Sequence, residues 1–501
     1  MKSTRYTQVP LTRHPSPAWT ATLAATTALA AALTGCRPPA VTFPARPIAS
    51  TEARRDYDTD GDGKADFFLL ADGAGRFDRI AYDRDGDGRP DHVVHLDAVD
   101  PRLARHLVIV LDGIPYDVLR GFYDEGHLRV FHPPAVVISP YPVLTDLALE
   151  DAFGYMPCEG PEARYFRRSA RAKAGGAWDY ITGRNEPFAR IIGYRLNPLY
   201  DAAAYLWPGP VFRKELNDAK RLWDRRRRQE EIFYFVSAAA LGTRKGKAGQ
   251  LHCLRQCERL INQVLFETGG LVKITLFADH GQTNIPARPA KLKKFLRARG
   301  WHLTDRLKTD RDVAMVHFGL VTYAAFGTRK PARLADDLLK SPAVELVSYV
   351  QDDAVIVRTP DGGEAAIRSK DGKTFQYETR RGDPLNLAHL AKGKVDGRDV
   401  LRATVKARHE YPDALYRLWR AHFALAENAP DVIASLDDHY HNGSETFAGA
   451  VTVASTHGGL NWRNSATFFM TTAAAVTGPL RSEDIPAVMR RVFGRPFPSM
   501  R

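Results

Sequence analysis

The chain predicts an α/β protein: a doubly wound, mostly parallel sheet with an inserted α+β cap and a small N-terminal Asp-rich repeat module. Three observations lead there. The runs HLVIVLD, AVVISP, IFYFVSAA, LVKITLFAD and VTVAST are apolar without alternation, the pattern of strands buried on both faces. Helical stretches such as GQLHCLRQCERLINQVLFE and PAKLKKFLRARG lie between or after them. The pattern YDTDGDGKAD from Tyr57 returns as YDRDGDGRPD from Tyr82.

In chain order, residues 1–36 come first. Lys2, Arg5 and Arg13 precede an Ala/Thr-rich apolar stretch, too short for a membrane span, that ends at Cys36 and reads as a secretory signal. The end, Leu33-Thr34-Gly35-Cys36, resembles the bacterial lipoprotein box. That resemblance implies acylation of Cys36, a membrane partner through the N-terminal lipid, and a place on the periplasmic or extracellular face of the cell envelope. Loss of residues 1–35 removes three positive charges from the formal +13 and leaves the chain basic. A positive balance suits anionic lipids or phosphate esters without identifying either, and no nucleic-acid duplex partner is expected. Arg225–Arg228 reads as a solvated helix face. Beyond Cys36 only Cys158, Cys253 and Cys257 remain, which excludes a disulfide scaffold. Cys253 and Cys257, one helical turn apart, read as a core helix face.

Residues 37–55, with RPPAVTFPARP, are Pro-rich and aperiodic and are expected to form a tether. Residues 56–100 hold the two repeats. Each places Asp at loop positions one, three, five and nine: Asp58, Asp60, Asp62 and Asp66, then Asp83, Asp85, Asp87 and Asp91, with Gly63 or Gly88 at position six. Carboxylates crowded on a tight turn suit a hard cation, so calcium is expected. The loops resemble the Asp-rich calcium repeats of dockerins and thrombospondin-type modules. Position twelve is Leu69 or Val94, so the bidentate Glu of an EF-hand is missing. The module is expected to act as a rigid spacer.

Residues 101–501 carry the α/β pattern, interrupted at about 303–448 by a less regular segment with the β-like VELVSYVQDDAVIVRT, read as the cap. In open parallel sheets ligands gather at the carboxyl ends of strands. Candidate groups stand there: Asp112 after LVIVL, Asp279 and His280 after ITLFA, and His457 after TVAST. Thr145 follows AVVISPYPVL where a helix begins.

In this order, Asp-Gly, Pro-x-x-Thr, Asp-His-Gly and Thr-His-Gly-Gly, the segments resemble the alkaline phosphatase superfamily, especially its type I phosphodiesterase and nucleotide pyrophosphatase branch, over roughly residues 105–475. The resemblance implies Asp112, Asp279 and His280 as ligands of one metal ion, usually zinc in this family, Thr145 as nucleophile and His457 as a ligand of a second metal. A Thr hydroxyl is a poor nucleophile until a nearby dication stabilises its alkoxide. The second site departs from the family: Ala239 stands where an Asp belongs and Thr243 where a His belongs. Asp437, Asp438, His439, His441 and His252 are the polar groups that could replace them.

The expected function is therefore metal-dependent hydrolysis of a phosphoric ester, a small molecule or lipid head group, through Thr145. The alternatives are a lipid-anchored non-catalytic relative that binds a phosphate-bearing ligand, and a surface interaction protein built around the calcium module. Sulfate esters are less expected, because no Cys or Ser occupies the nucleophile position.

Overall fold

The strand Arg105–Leu111 is buried over six of its seven residues, and only a sheet covered on both faces can house it. A computed structural model of the chain describes residues 38–182, 186–316, 319–443, 449 and 451–499, the side chains at 177, 180, 181 and 202 excepted. Cys36 and the signal-like segment lie outside the described residues. The elements that position the site all belong to the unit Ala40–Arg501.

The central sheet has six strands in the order Glu230–Phe235, Arg105–Leu111, Val272–Ala278, Ala466–Thr471, Ala135–Ile138, Leu480–Arg481. All pairings are parallel except those of Ala466–Thr471, which is antiparallel to both neighbours. The mixed α/β class is the result, with the long helix Ser237–Glu267 and the helix Tyr116–Asp124 packing beside the sheet. Register then decides which side chains meet at the sheet's rim. Leu111 pairs with both Phe235 and Ala278, so the residues that leave the sheet next, Val236, Asp112 and Asp279, emerge side by side.

One expected strand is corrected. The run at 451–456 is irregular, and the slot beside Val272–Ala278 is taken by ATFFMT, Ala466–Thr471, whose six residues are all buried. The backbone of the earlier run is committed elsewhere: Ala454 N–H donates to the Thr243 carbonyl, and the Thr456 carbonyl accepts from Thr283 N–H.

The cap enters between Val272–Ala278 and Ala466–Thr471, two strands that pair with each other. It is a nine-stranded sheet, beginning at His302–Leu303 and taking in Val432–Leu436, with helices and apolar cores on both faces. Its helix Ala414–Phe423 sends Arg417, 2% exposed, back toward the central domain. That guanidinium donates to the carbonyls of Leu460 and Pro140 and to Ser465 Oγ, fastening the cap to the segments on which Thr145 and His457 stand.

The Asp-rich module is a five-stranded antiparallel sheet running in chain order from Ala49–Ser50 to His92–His95. Two expectations change here. The module is no separate spacer, because Tyr57, Phe67, Phe77 and Ile80 join one apolar core with the Ser237–Glu267 helix, and Phe67 meets Phe266 edge-on at 5.3 Å. The segment expected to be a tether is docked over Ala40–Phe43: Ala40 N–H donates to Asn217 Oδ1, Thr42 N–H donates to Gln263 Oε1, and Phe43 is buried. The arginine run also differs, for the helix Pro208–Arg225 ends at its first member and Arg226 bonds Glu231 in the strand Glu230–Phe235. Cys158, Cys253 and Cys257 are all free and buried, the latter two in the core face of their helix.

Candidate active site

Asp112 and Asp279 leave adjacent parallel strands at equivalent register, which brings their carboxylates to one point, and His280 is the next residue along. Ligand atoms of Asp112, Asp279 and His280 all lie within 4.8 Å of one another. His280 Nε2 is 3.5 Å from Asp112 Oδ1 and 3.4 Å from Asp279 Oδ2. All three residues are buried.

The outer bonds of each group fix its orientation. Asp279 Oδ1 accepts from Gly113 N–H at 2.9 Å and from His280 N–H at 2.8 Å. Asp112 Oδ2 accepts from the Tyr234 hydroxyl at 2.5 Å. His280 Nδ1 lies 2.8 Å from the Gly281 carbonyl, which can only accept; Nδ1 therefore carries the proton and Nε2 presents a lone pair. The remaining oxygens, Asp112 Oδ1 and Asp279 Oδ2, are buried with no hydrogen-bond partner among the described residues.

Three bare acceptors thus converge with only the Thr145 hydroxyl as a donor among the described residues, an arrangement that is costly without a cation. The titration behaviour agrees. Burial, and then the charge of Asp279, push the Asp112 carboxyl well above its usual range. Burial pushes Asp279 up to about 6 and His280 down to about 4. Two carboxylates and a neutral imidazole fit zinc in charge and in ligand type.

Thr145 is the first residue of the helix Thr145–Ala152, whose cap position, Leu144, makes no side-chain capping bond. Thr145 thus follows the cap position rather than occupying it, and its Oγ1 lies 3.1 Å from His280 Nε2. His457 stacks on His280 with ring centroids 3.9 Å apart. Its Nδ1 is 2.8 Å from the Val143 carbonyl, which leaves Nε2 as the bare nitrogen. A loop rather than a strand end holds His457, tied to the cap by Thr322 N–H on its carbonyl.

Of the two residues at which the sequence departs from the expected second site, Ala239 is buried and its carbonyl accepts from Gln282 Nε2 at 3.3 Å. Thr243 lines the same cavity as Asp112, Thr145 and His457. None of the five polar residues named as replacements lines that cavity. Asp437 pairs with His439, Asp438 accepts from Asn461 and Asn464, His441 sits in the short strand Tyr440–His441, and His252 is on the Ser237–Glu267 helix.

The cavity holds about 300 Å³ and includes groups the sequence pattern did not single out: Tyr234, Asp146, Glu162, Glu186, Arg195 and Asp201. Tyr234 could have been found by register, being one position before the end of a strand paired with Arg105–Leu111. Asp146 lies on the Thr145–Ala152 helix, Asp201 opens the short helix Asp201–Leu206, and the others lie between them on a stretch of short elements whose sequence has no period to read.

Gly281 sets the depth of the site. A Cβ there would come 2.3 Å from the Arg463 carbonyl oxygen and 3.0 Å from that of Ala466. Gly281→Ala is expected to displace His280 and cost on the order of 2–3 kcal/mol through overpacking. Thermal unfolding and bound-metal analysis of that variant check it, with metal occupancy falling along with the melting temperature.

No family model matches this sequence, and no curated protein matches it. Among solved structures, human ectonucleotide pyrophosphatase/phosphodiesterase 5 is similar at 10% identity and a TM-score of 0.41, over 78% of this chain and 95% of that one. At that identity and score the likeness says nothing about this chain's chemistry.

Proposed function

We propose that the protein is a metal-dependent phosphoric ester hydrolase of the alkaline-phosphatase-like, phosphodiesterase type, with Thr145 as its nucleophile. The observation that supports this most is the convergence of Asp112 Oδ1, Asp279 Oδ2 and His280 Nε2, with Thr145 Oγ1 3.1 Å from that nitrogen. A zinc ion held by Asp112, Asp279 and His280 would supply positive charge to the phosphoryl oxygens and favour the alkoxide of Thr145.

The chain's own groups divide the remaining work. Tyr234 orients Asp112, and Gly113 N–H and His280 N–H orient Asp279. The N-terminus of the Thr145–Ala152 helix turns its positive dipole end toward the phosphoryl group. Thr145 gives up its hydroxyl proton to solvent, Oγ1 forms a bond to phosphorus, and the bond from phosphorus to the departing ester oxygen breaks as that oxygen takes up a proton from water. Water then cleaves the phosphothreonine, which releases phosphate or a phosphomonoester and restores the hydroxyl.

Ala239 and Thr243 favour a second reading, a lipid-anchored relative that binds a phosphate-bearing ligand without turnover. Hydrolysis of aryl phosphate monoesters and diesters by the zinc-loaded chain, lost in Thr145→Ala, supports the hydrolase. One tightly held zinc, no turnover and no effect of Thr145→Ala would support the binding protein.

Cys36 is the proposed lipid anchor to the bacterial envelope; radiolabelled palmitate should enter the wild-type chain and not Cys36→Ser. Calcium is the proposed occupant of the two Asp-rich loops. Asp58, Asp60 and Asp62 cluster within 4.8 Å, as do Asp83, Asp85 and Asp91, and both loops lie at the same end of their sheet. Because that sheet shares a core with the catalytic domain, millimolar calcium should raise the melting temperature of the wild-type protein, and Asp60→Ala with Asp85→Ala should remove the increment without changing zinc content.

A further inference from the structure

The N-terminal segment joins the folded protein on a basic face. Ala40 is four residues beyond Cys36 and is held between two helices: its N–H donates to Asn217 Oδ1 on Pro208–Arg225, and its carbonyl accepts from Gln263 Nε2 on Ser237–Glu267. Further in, the Phe43 carbonyl accepts from Arg259 Nη2 at 2.7 Å. The point of entry is thus fixed to these helices. Four residues of fully extended chain reach about 14 Å, so a membrane that holds Cys36 also holds this face close to its surface.

Charge on the two helices is unevenly answered. Their acids that reach the surface are all engaged: Asp218 with Lys214 and Arg221, Asp224 and Glu267 with Lys220, and Glu258 with Arg55 and His127. Arg213, Lys245 and Arg255 are exposed and make no ion pair among the described residues. All three stand around His252, whose affinity for a proton is lowered by burial and then further by their charge. On the docked segment, Arg46 joins Arg255 and Arg259 in lining a cleft of about 430 Å³, where Glu258 is the one acid among the lining residues. Cations gathered this way repel one another, and an anionic surface laid against them relieves the repulsion.

We infer that the face of the helices Pro208–Arg225 and Ser237–Glu267 that carries Arg213, Lys245 and Arg255 lies against an anionic phospholipid surface. Acyl chains on Cys36 would set the protein's distance from the bilayer, and these three charges its orientation. The closeness to a membrane rests on the lipid-anchor reading of Cys36; the charge stands on the surface alone.

Flotation of the full chain carrying Cys36→Ser, which has no residue to acylate at that position, tests the face with two kinds of vesicle, phosphatidylglycerol and phosphatidylcholine. Partition onto phosphatidylglycerol should exceed that onto phosphatidylcholine by at least about tenfold at low salt, the scale of a few basic residues at a charged bilayer. The excess should disappear at roughly 0.5 M salt, where screening shortens the reach of each charge. Combining Arg213→Gln, Lys245→Gln and Arg255→Gln should remove most of it. An equal loss of charge on the cap, Lys370→Gln with Lys373→Gln and Lys392→Gln, should leave it in place, and Lys2, Arg5 and Arg13 are common to all these proteins. Equal partition onto the two lipids, or a cap variant that falls as far as the helix variant, overturns the face. Palmitate labelling of the wild type decides the anchor separately. Label incorporated without a lipid preference in Cys36→Ser spares the anchor and overturns the face, whereas a phosphatidylglycerol preference lost in the helix variant, with no label incorporated, supports the face and removes the anchor.

Discussion

Thr145→Ala is expected to lower turnover of a p-nitrophenyl phosphate ester by about 10³-fold or more, because the hydroxyl it removes is the one that stands 3.1 Å from His280 Nε2. The variant should fold. Thr145 is half-buried, starts a helix whose cap position bonds through no side chain, and loses only the contact of Oγ1 with His280. Zinc content should stay at that of the wild type, since Asp112, Asp279 and His280 are untouched. Thr145→Ser keeps an oxygen at the same site and should recover part of the rate. Retention of activity in Thr145→Ala, with zinc bound and the melting temperature unchanged, would remove Thr145 from the chemistry and leave the binding protein as the better account. The three readouts separate a lost nucleophile from a collapsed site, which Gly281→Ala is expected to produce.

The parts of this site that could be read in the sequence are those set by local rules. Apolar runs without alternation marked the parallel strands, and residues at their carboxyl ends are brought together by register alone, as Asp112 and Asp279 are. The position of His457 has a different origin from the one its sequence context suggests. It reaches His280 because the cap and the Val143 carbonyl hold its loop, and the strand expected before it is absent. The cavity wall could not be read, since Glu162, Glu186 and Arg195 stand on a segment with neither helical nor strand period, and long-range packing sets their positions. The Asp-rich module shows the same limit. Its loops were legible from spacing, whereas its union with the main core depends on Phe67 and Phe266, which are far apart in sequence.

The second large effect concerns the protein stripped of metal. Asp279→Asn should make the metal-free protein more stable than the metal-free wild type at neutral pH, while abolishing zinc binding. In the wild type, Asp279 Oδ2 and Asp112 Oδ1 are buried without a hydrogen-bond partner among the described residues, and the charge of Asp279 adds to burial in raising the Asp112 carboxyl. An Asn can keep the acceptor role toward Gly113 and His280 N–H and offer an NH₂ where Oδ2 stood. The sign comes from linkage. Asp279 has its carboxyl pushed up to about 6 by burial, from an ordinary value of 3.8. Between those values the folded state binds more protons than the unfolded state, so the wild type loses stability as pH rises through that window and stays penalised above it. A shift of that size corresponds to roughly 3 kcal/mol at pH 7 to 8, shrinks to a few tenths near pH 4 and vanishes below about pH 3, where both states carry the neutral acid. Zinc should reverse the order of the two proteins, because it binds the wild type and stabilises it by mass action. Melting curves at pH 4, 6 and 8, in EDTA and in zinc, check the whole pattern. A metal-free wild type that outlasts Asp279→Asn at pH 8 would mean that the carboxylate has a cationic or donor partner in the protein itself, and that Asp112, Asp279 and His280 were not arranged around an ion.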